Sequence, residues 1–250
     1  PVWQIATTAT DANRFVLRWA RGLTGRPVVV VFDGCYHGTV DDTLVDMDAQ
    51  QRTLTRASLL GQVHDLALGT VVVPFNDIAA VERALARGDV ACVLTEPALT
   101  NCGLVPPLPG FLAQLQRACR AHGSLLVLDG THTVSSGWGG HARVEGLDPD
   151  FMVIGKAIAG GLPCAVYGFS EAMNERMEAA KRAAPRTSAS QAAGSAGIAS
   201  SRPHRARRAE AAFSPKPGNP GMPSAVSPTS ASQSGMLAGA MPRRDRSSVS

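Results

Sequence analysis

The chain has 250 residues and a formal net charge of +4, a length that allows one domain or two. It holds no run of eighteen apolar residues, so no membrane-spanning helix is expected. The charge is uneven: residues 183–250 carry eight Arg and one Lys against Glu210 and Asp245, a net +7, while residues 1–182 carry −3. Basic character, and any attraction to nucleic acid, therefore belongs to the tail alone.

The opening stretch PVWQIATTATDANRF has neither a basic n-region nor an apolar h-region, so it does not read as a secretory signal. Without an initiator Met it reads as the interior of a longer polypeptide. The five cysteines, Cys35, Cys92, Cys102, Cys119 and Cys164, are odd in number and form no CxxC pair, which implies free thiols in a reducing, cytoplasmic setting. The six histidines show no HxxxH or HExxH spacing, so no metal site is expected.

The first element follows TTATDAN (7–13), small hydroxylated residues that open a helix. Backbone N–H groups at such a start favour a phosphate by about 0.3–1 kcal/mol, or serve as an ordinary cap. The helix runs over Asp11–Gly22 with Ala12, Phe15, Val16, Trp19 and Ala20 on one face. A strand at Val28–Phe32 leads into GCYHG (34–38), an aromatic residue in a Gly-flanked turn. A strand at Thr70–Pro74 precedes a helix over Ile78–Arg87 that starts at Asn76–Asp77. Then come a strand at Val90–Thr95 and a helix within Gly110–Gly123 presenting Phe111, Leu112, Leu115, Ala118 and Cys119.

The strand Ser124–Asp129 ends on a carboxylate that caps a nearby turn or faces a ligand. Phe151–Ile154 is apolar enough for a fully buried strand, yet Lys156 follows two positions later. A structural lysine there would snorkel to solvent; a buried one would form a Schiff base. A strand at Pro163–Phe169 and a helix over Ala172–Arg182, begun at Ser170–Glu171, complete the series.

Alternating strands and helices, with strands apolar on both faces, predict an α/β domain around a mostly parallel sheet over residues 1–182. Chemistry in such sheets sits beyond the carboxyl ends of the strands, where Asp129 and Lys156 both fall. From Ala183 the rhythm stops: 51 of 68 residues are Ala, Ser, Pro, Arg or Gly, too little apolar surface to offset ordering entropy, so 183–250 reads as a disordered tail.

A lysine amine, a carboxylate, a phosphate-binding helix start and an aromatic ring are jointly what pyridoxal 5′-phosphate requires. The sequence resembles the class III pyridoxal-phosphate aminotransferases of fold-type I, nearest their glutamate-1-semialdehyde 2,1-aminomutase branch. The matching stretches are TATDANRFVLRWARGLTGR (8–26), FDGCYHGTVDD (32–42), VPFNDIAAVERAL (73–85), VLTEPALTNCGLVPPLPGFLAQLQRACRAHGSLLVLD (93–129) and GLDPDFMVIGKAIAGGLPCAVYGFSE (146–171).

The resemblance implies the three-layer large domain of that fold and a set of roles. Lys156 would carry the cofactor as a Schiff base at a buried position, tolerated there as an imine rather than an ammonium, and would shuttle the proton. Asp129 would pair with the pyridine nitrogen. Thr8, Ala9 and Thr10 fall where the family binds phosphate. Tyr36 would stack on the ring beside His37, and Thr131 would pack the other face. His132 lies where relatives approach the phenolic oxygen, and Glu96 and Asn101 would line the site. The partners implied are a small-molecule amino donor and acceptor and, in an intact protein, a second identical chain.

Ala9 stands where the family usually has Gly. Gly130 stands where it has Glu, which removes a carboxylate and is expected to loosen the strand end. Nothing after Arg182 resembles the family's cross-subunit phosphate segment or its small domain with the substrate-carboxylate arginine. Three readings follow. One is amino transfer of the transaminase or aminomutase type. Another is a truncated or frame-shifted, inactive cofactor-binding fragment, since a shifted frame of GC-rich DNA gives such a tail. The third is nucleic-acid binding through SRPHRARRAE (201–210), against which no aromatic residue interleaves with the arginines.

Overall fold

The structure is a computed structural model that describes residues 1–184. The expected disorder of the tail and the arginine-rich stretch at 201–210 lie outside the described residues. Among those described, no helix is long and apolar enough to cross a membrane.

Strand β1 (Val2–Ala6) leads into helix α1 (Ala9–Thr24), which begins because Thr8 caps it: the Thr8 hydroxyl accepts from the Asp11 N–H at 3.1 Å. It ends at Gly25, whose φ of 68° suits glycine and whose N–H donates to the Arg21 carbonyl. Strand β2 (Val28–Phe32) and the hairpin β3 (Val45–Met47) with β4 (Thr53–Thr55) come next. They are followed by β5 (Thr70–Val73), α2 (Ile78–Leu85), β6 (Val90–Thr95) and α3 (Phe111–His122). Strand β7 (Leu125–Asp129), α4 (Gly140–Val144), β8 (Phe151–Ile154), β9 (Ala165–Phe169) and α5 (Glu171–Ala183) complete the described residues.

Seven strands form one sheet in the order β1-β9-β8-β7-β6-β2-β5. The five from β8 to β5 are parallel, and β9 and β1 add antiparallel pairs at one edge. Every residue of β2, β6 and β7 is buried, so both faces of the sheet are covered. Helices α1 and α5 pack together as one layer, and α2 and α3 pack together as the other. Phe32, Phe75 and Phe111 meet edge-on at 5.1–5.8 Å between centroids, joining β2 to the start of α3. The mixed α/β fold with a mostly parallel sheet is the one expected.

Three local expectations are corrected. The buried face of α1 is Ala12, Asn13, Val16, Leu17 and Ala20, whereas Phe15 is 42% exposed. The helix turns Phe15 toward Tyr167, with ring centroids 6.2 Å apart, and Trp19 toward Lys181 at 5.5 Å. Strand β9 starts at Ala165 rather than Pro163, leaving Pro163 and Cys164 to line a cavity. Gly130 does not loosen its strand end: its N–H donates to the Val153 carbonyl at 2.8 Å and its carbonyl accepts from Thr133 and Val134.

Candidate active site

The carboxyl ends of β6, β7 and β8 meet the N-terminus of α1 around a cavity of about 330 Å³, within the range of small-molecule sites, roughly 300–1,000 Å³. The cavity is lined by Thr8, Ala9, Thr10, Tyr36, His37, Glu96, Asp129, Thr131, His132 and Lys156. Those ten include every sequence-predicted site residue except Asn101. The pairing of Leu99 with Val105 puts residues 101–103 at an exposed turn, and Thr100 takes the inward place instead.

Small residues allow this convergence. Gly38 has φ of 82°, and a Cβ there would collide with the Thr10 hydroxyl, so the turn after β2 lies directly on the start of α1. The same hydroxyl accepts from the Thr39 N–H at 3.2 Å. A Cβ on Gly155 would fall 3.0 Å from the Ala9 Cβ and 3.5 Å from Thr131, which draws the end of β8 onto the same helix start. Lys156 then adopts φ of 49°, a left-handed conformation that costs a non-glycine residue about 1–3 kcal/mol and recurs at functional sites.

The expectation that Lys156 is buried is corrected. It is exposed, one step past Gly155, because the tight turn carries it off the strand and onto the cavity wall. An exposed ammonium there carries no burial cost, so the lysine needs no neutralisation to be tolerated.

Asp129 is 4% exposed. Its Oδ2 accepts from Asn13 Nδ2 at 2.9 Å and faces His37 Nδ1 at 3.0 Å, and its Oδ1 accepts from the Thr131 N–H at 3.1 Å. Burial alone would raise this carboxyl. The hydrogen bond and charge of His37, with the donors of Thr131 and Asn13, outweigh burial and hold it below its ordinary value. Burial likewise opposes a charged His37, yet the neighbouring Cys35 sulfur and the Asp129 carboxylate carry it well above its ordinary value. His37 thus stands behind Asp129 with its ring fully buried and acts on the cavity through that carboxylate.

Asn13 was not among the expected site residues. Its signal was an amide on a helix face otherwise made of Ala12, Val16, Leu17 and Ala20, where a buried polar group needs a partner. It donates to Asp129 and, at 3.2 Å, to the His37 carbonyl.

On the other wall, Glu96 is 2% exposed. The Thr100 hydroxyl lies 2.5 Å from Glu96 Oε2 and 2.5 Å from His132 Nδ1. Glu96 Oε1 and Thr131 Oγ1 are buried on the lining without a hydrogen-bond partner. Unmet polar atoms, a helix N-terminus and a carboxylate held ionised by its donors make a donor and acceptor set that fits pyridoxal 5′-phosphate.

Residues 4–187 match the family described as Aminotransferase class-III. Over 171 residues the chain is 40% identical to glutamate-1-semialdehyde 2,1-aminomutase of Myxococcus xanthus, covering 66% of this chain and 39% of that protein. The crystal structure of a glutamate-1-semialdehyde-aminomutase from Pseudomonas aeruginosa superposes with a TM-score of 0.69 at 50% identity, covering 74% of this chain and 41% of that one. A variant from the same organism, in complex with PMP, gives 0.70 at 49%. An omega-transaminase from Sphaerobacter thermophilus gives 0.64 at 32%. The chain thus spans about two fifths of the length of these relatives.

Proposed function

The chain belongs to the aminotransferase class-III family, and from that premise we propose that it is the cofactor-binding domain of a pyridoxal-phosphate-dependent amino-transfer enzyme, of the transaminase or glutamate-1-semialdehyde aminomutase type. The observation that carries this reading is that a lysine in a strained turn and a buried, ionised carboxylate line one cavity at the N-terminus of a helix.

In this proposal Lys156 holds the cofactor covalently, Asp129 pairs with its ring nitrogen, and Thr8, Ala9 and Thr10 take its phosphate. Tyr36 and Thr131 flank the ring. When bound, the cofactor supplies an electron sink for a carbon that loses a proton beside an amino group. The chain's own residues do the rest. Asp129, kept anionic by His37 and Asn13, holds a proton across from its Oδ atoms. Lys156, when free, takes a proton at Nζ from one carbon and returns it to another.

The chain has three lysines, Lys156, Lys181 and Lys216. Incubation with pyridoxal phosphate, reduction with borohydride and peptide mass spectrometry should place the label on Lys156. A label on Lys181 or Lys216 instead, or none, would refute the assignment.

A further inference from the structure

We infer that Glu96, Thr100 and His132 form a proton relay that opens into the cofactor cavity at His132 Nε2. What the relay serves rests on the amino-transfer reading; its geometry does not.

The Thr100 hydroxyl has one proton and two neighbours at 2.5 Å, Glu96 Oε2 and His132 Nδ1. It donates to one and must accept from the other. An ionised Glu96 can only accept, so Thr100 donates to Oε2 and the Nδ1–H of His132 donates to Thr100. The approach of Nδ1 to Oε2 at 3.5 Å has the same sense. The lone pair is then left on Nε2, which makes no hydrogen bond among the described residues, on a ring whose side chain is 32% exposed and lines the cavity.

A proton accepted at Nε2 lets the Nδ1 proton pass to Thr100 Oγ1 while the Thr100 proton passes to Glu96 Oε2. One proton has entered; the imidazole is again neutral, now protonated at Nε2, and Glu96 is a carboxylic acid. The reverse sequence delivers a proton to whatever faces Nε2. Glu96 is 2% exposed, and its Oε2 exchanges protons through these neighbours. Amino transfer removes a proton from one atom and adds one at another, and the relay gives the cavity a second proton carrier beside Lys156. His132 would be the acid–base residue, and Thr100 and Glu96 the residues that position it.

The test is the histidine tautomer in the ¹⁵N-labelled full chain. Long-range ¹H–¹⁵N correlation separates the two ring nitrogens, and His132 is identified as the ring lost in His132→Asn. The wild type should carry its proton on Nδ1. Thr100→Val should move it to Nε2, the form a free histidine side chain prefers, and Thr100→Ser should restore Nδ1. The other five histidine rings serve as the control for an intact fold. An Nε2–H wild type, or a ring indifferent to Thr100→Val, overturns the relay.

Diethyl pyrocarbonate, which acylates a free imidazole nitrogen, then probes where Nε2 opens. Wild-type His132 should be modified, and loading with pyridoxal phosphate, verified by borohydride trapping on Lys156, should abolish that modification. Trapping without protection overturns the placement of the relay at the cofactor. Failure to trap Lys156 instead overturns the amino-transfer reading, and the tautomer result stands by itself.

Discussion

Asp129 stays charged in a buried setting because three donors converge on it, from α1, from the turn after β2 and from its own strand end. Replacing it by Asn keeps the volume and removes the charge, leaving a raised, buried His37 without its counter-ion. Breaking such a pair costs roughly 3–5 kcal/mol, so Asp129→Asn should lower the urea midpoint and weaken cofactor retention together. The pH dependence has two signs. Asp129 is depressed in the fold, so its contribution is present above the ordinary value of 3.8 and is lost as pH falls through the lowered one. His37 is raised, so its contribution is full below 6.5 and is lost as pH rises from there through the raised value. The pair is at full strength between 3.8 and 6.5. Urea midpoints across pH should fall on both sides of that window in the wild type, and both slopes should be shallower in Asp129→Asn. Slopes unchanged by the substitution would assign the profile to other groups.

Helix α1 owes its place at the cavity to what packs on its first turn, and two glycines separate the sources of that requirement. Gly25 and Gly38 both have positive φ, but a Cβ on Gly25 meets nothing within 4 Å while one on Gly38 collides with Thr10. Gly25→Ala should cost only the left-handed conformation, about 1–2 kcal/mol. Gly38→Ala should cost more by thermal or urea unfolding and should also loosen pyridoxal-phosphate binding. Equal losses in the two variants would show that the Gly38–Thr10 approach is dispensable. The sequence made the interior elements plain because their signal is local: Val28–Phe32 and Val90–Thr95 are apolar runs that only a doubly covered strand explains. Strand β1 was not legible, since Ala6 alone is buried and pairing with β9 makes the strand. The five-residue α4 and the β3–β4 hairpin are likewise too short for a period. At the site, the residue types at the strand ends were legible from motif order. The exposure of Lys156 and the outward turn of Asn101 depend on backbone turns, which no local pattern carries; the amide of Asn13 stood out on its apolar helix face, but its partners are long-range.

Among the described residues the cavity is open. Lys156 is exposed, Tyr36 is 37% exposed and Leu162 is 74% exposed, and the chain matches 39–41% of the length of the relatives it aligns with. Water reaching an active site weakens the charge interactions on which its chemistry depends. Two unit charges 4 Å apart interact by about 4 kcal/mol at an effective dielectric of 20 and by about 1 kcal/mol in water. Losing about 3 kcal/mol of transition-state stabilisation costs roughly two powers of ten in rate. The 250-residue chain is therefore expected to accept pyridoxal phosphate on Lys156 yet to transfer amino groups at no more than about 0.1 per second, against an ordinary enzyme median of about 10 per second. The measurement is to saturate the purified chain with cofactor, verify trapping on Lys156, and follow amino transfer from a panel of amino acids and amines beside a full-length relative. Trapping with slow turnover is the expected pair of results. Turnover near 10 per second would show that the residues around this open cavity suffice and that enclosure contributes little. Slow turnover without trapping would instead place the fault in the cofactor assignment, because a site that never holds the cofactor is slow for a different reason.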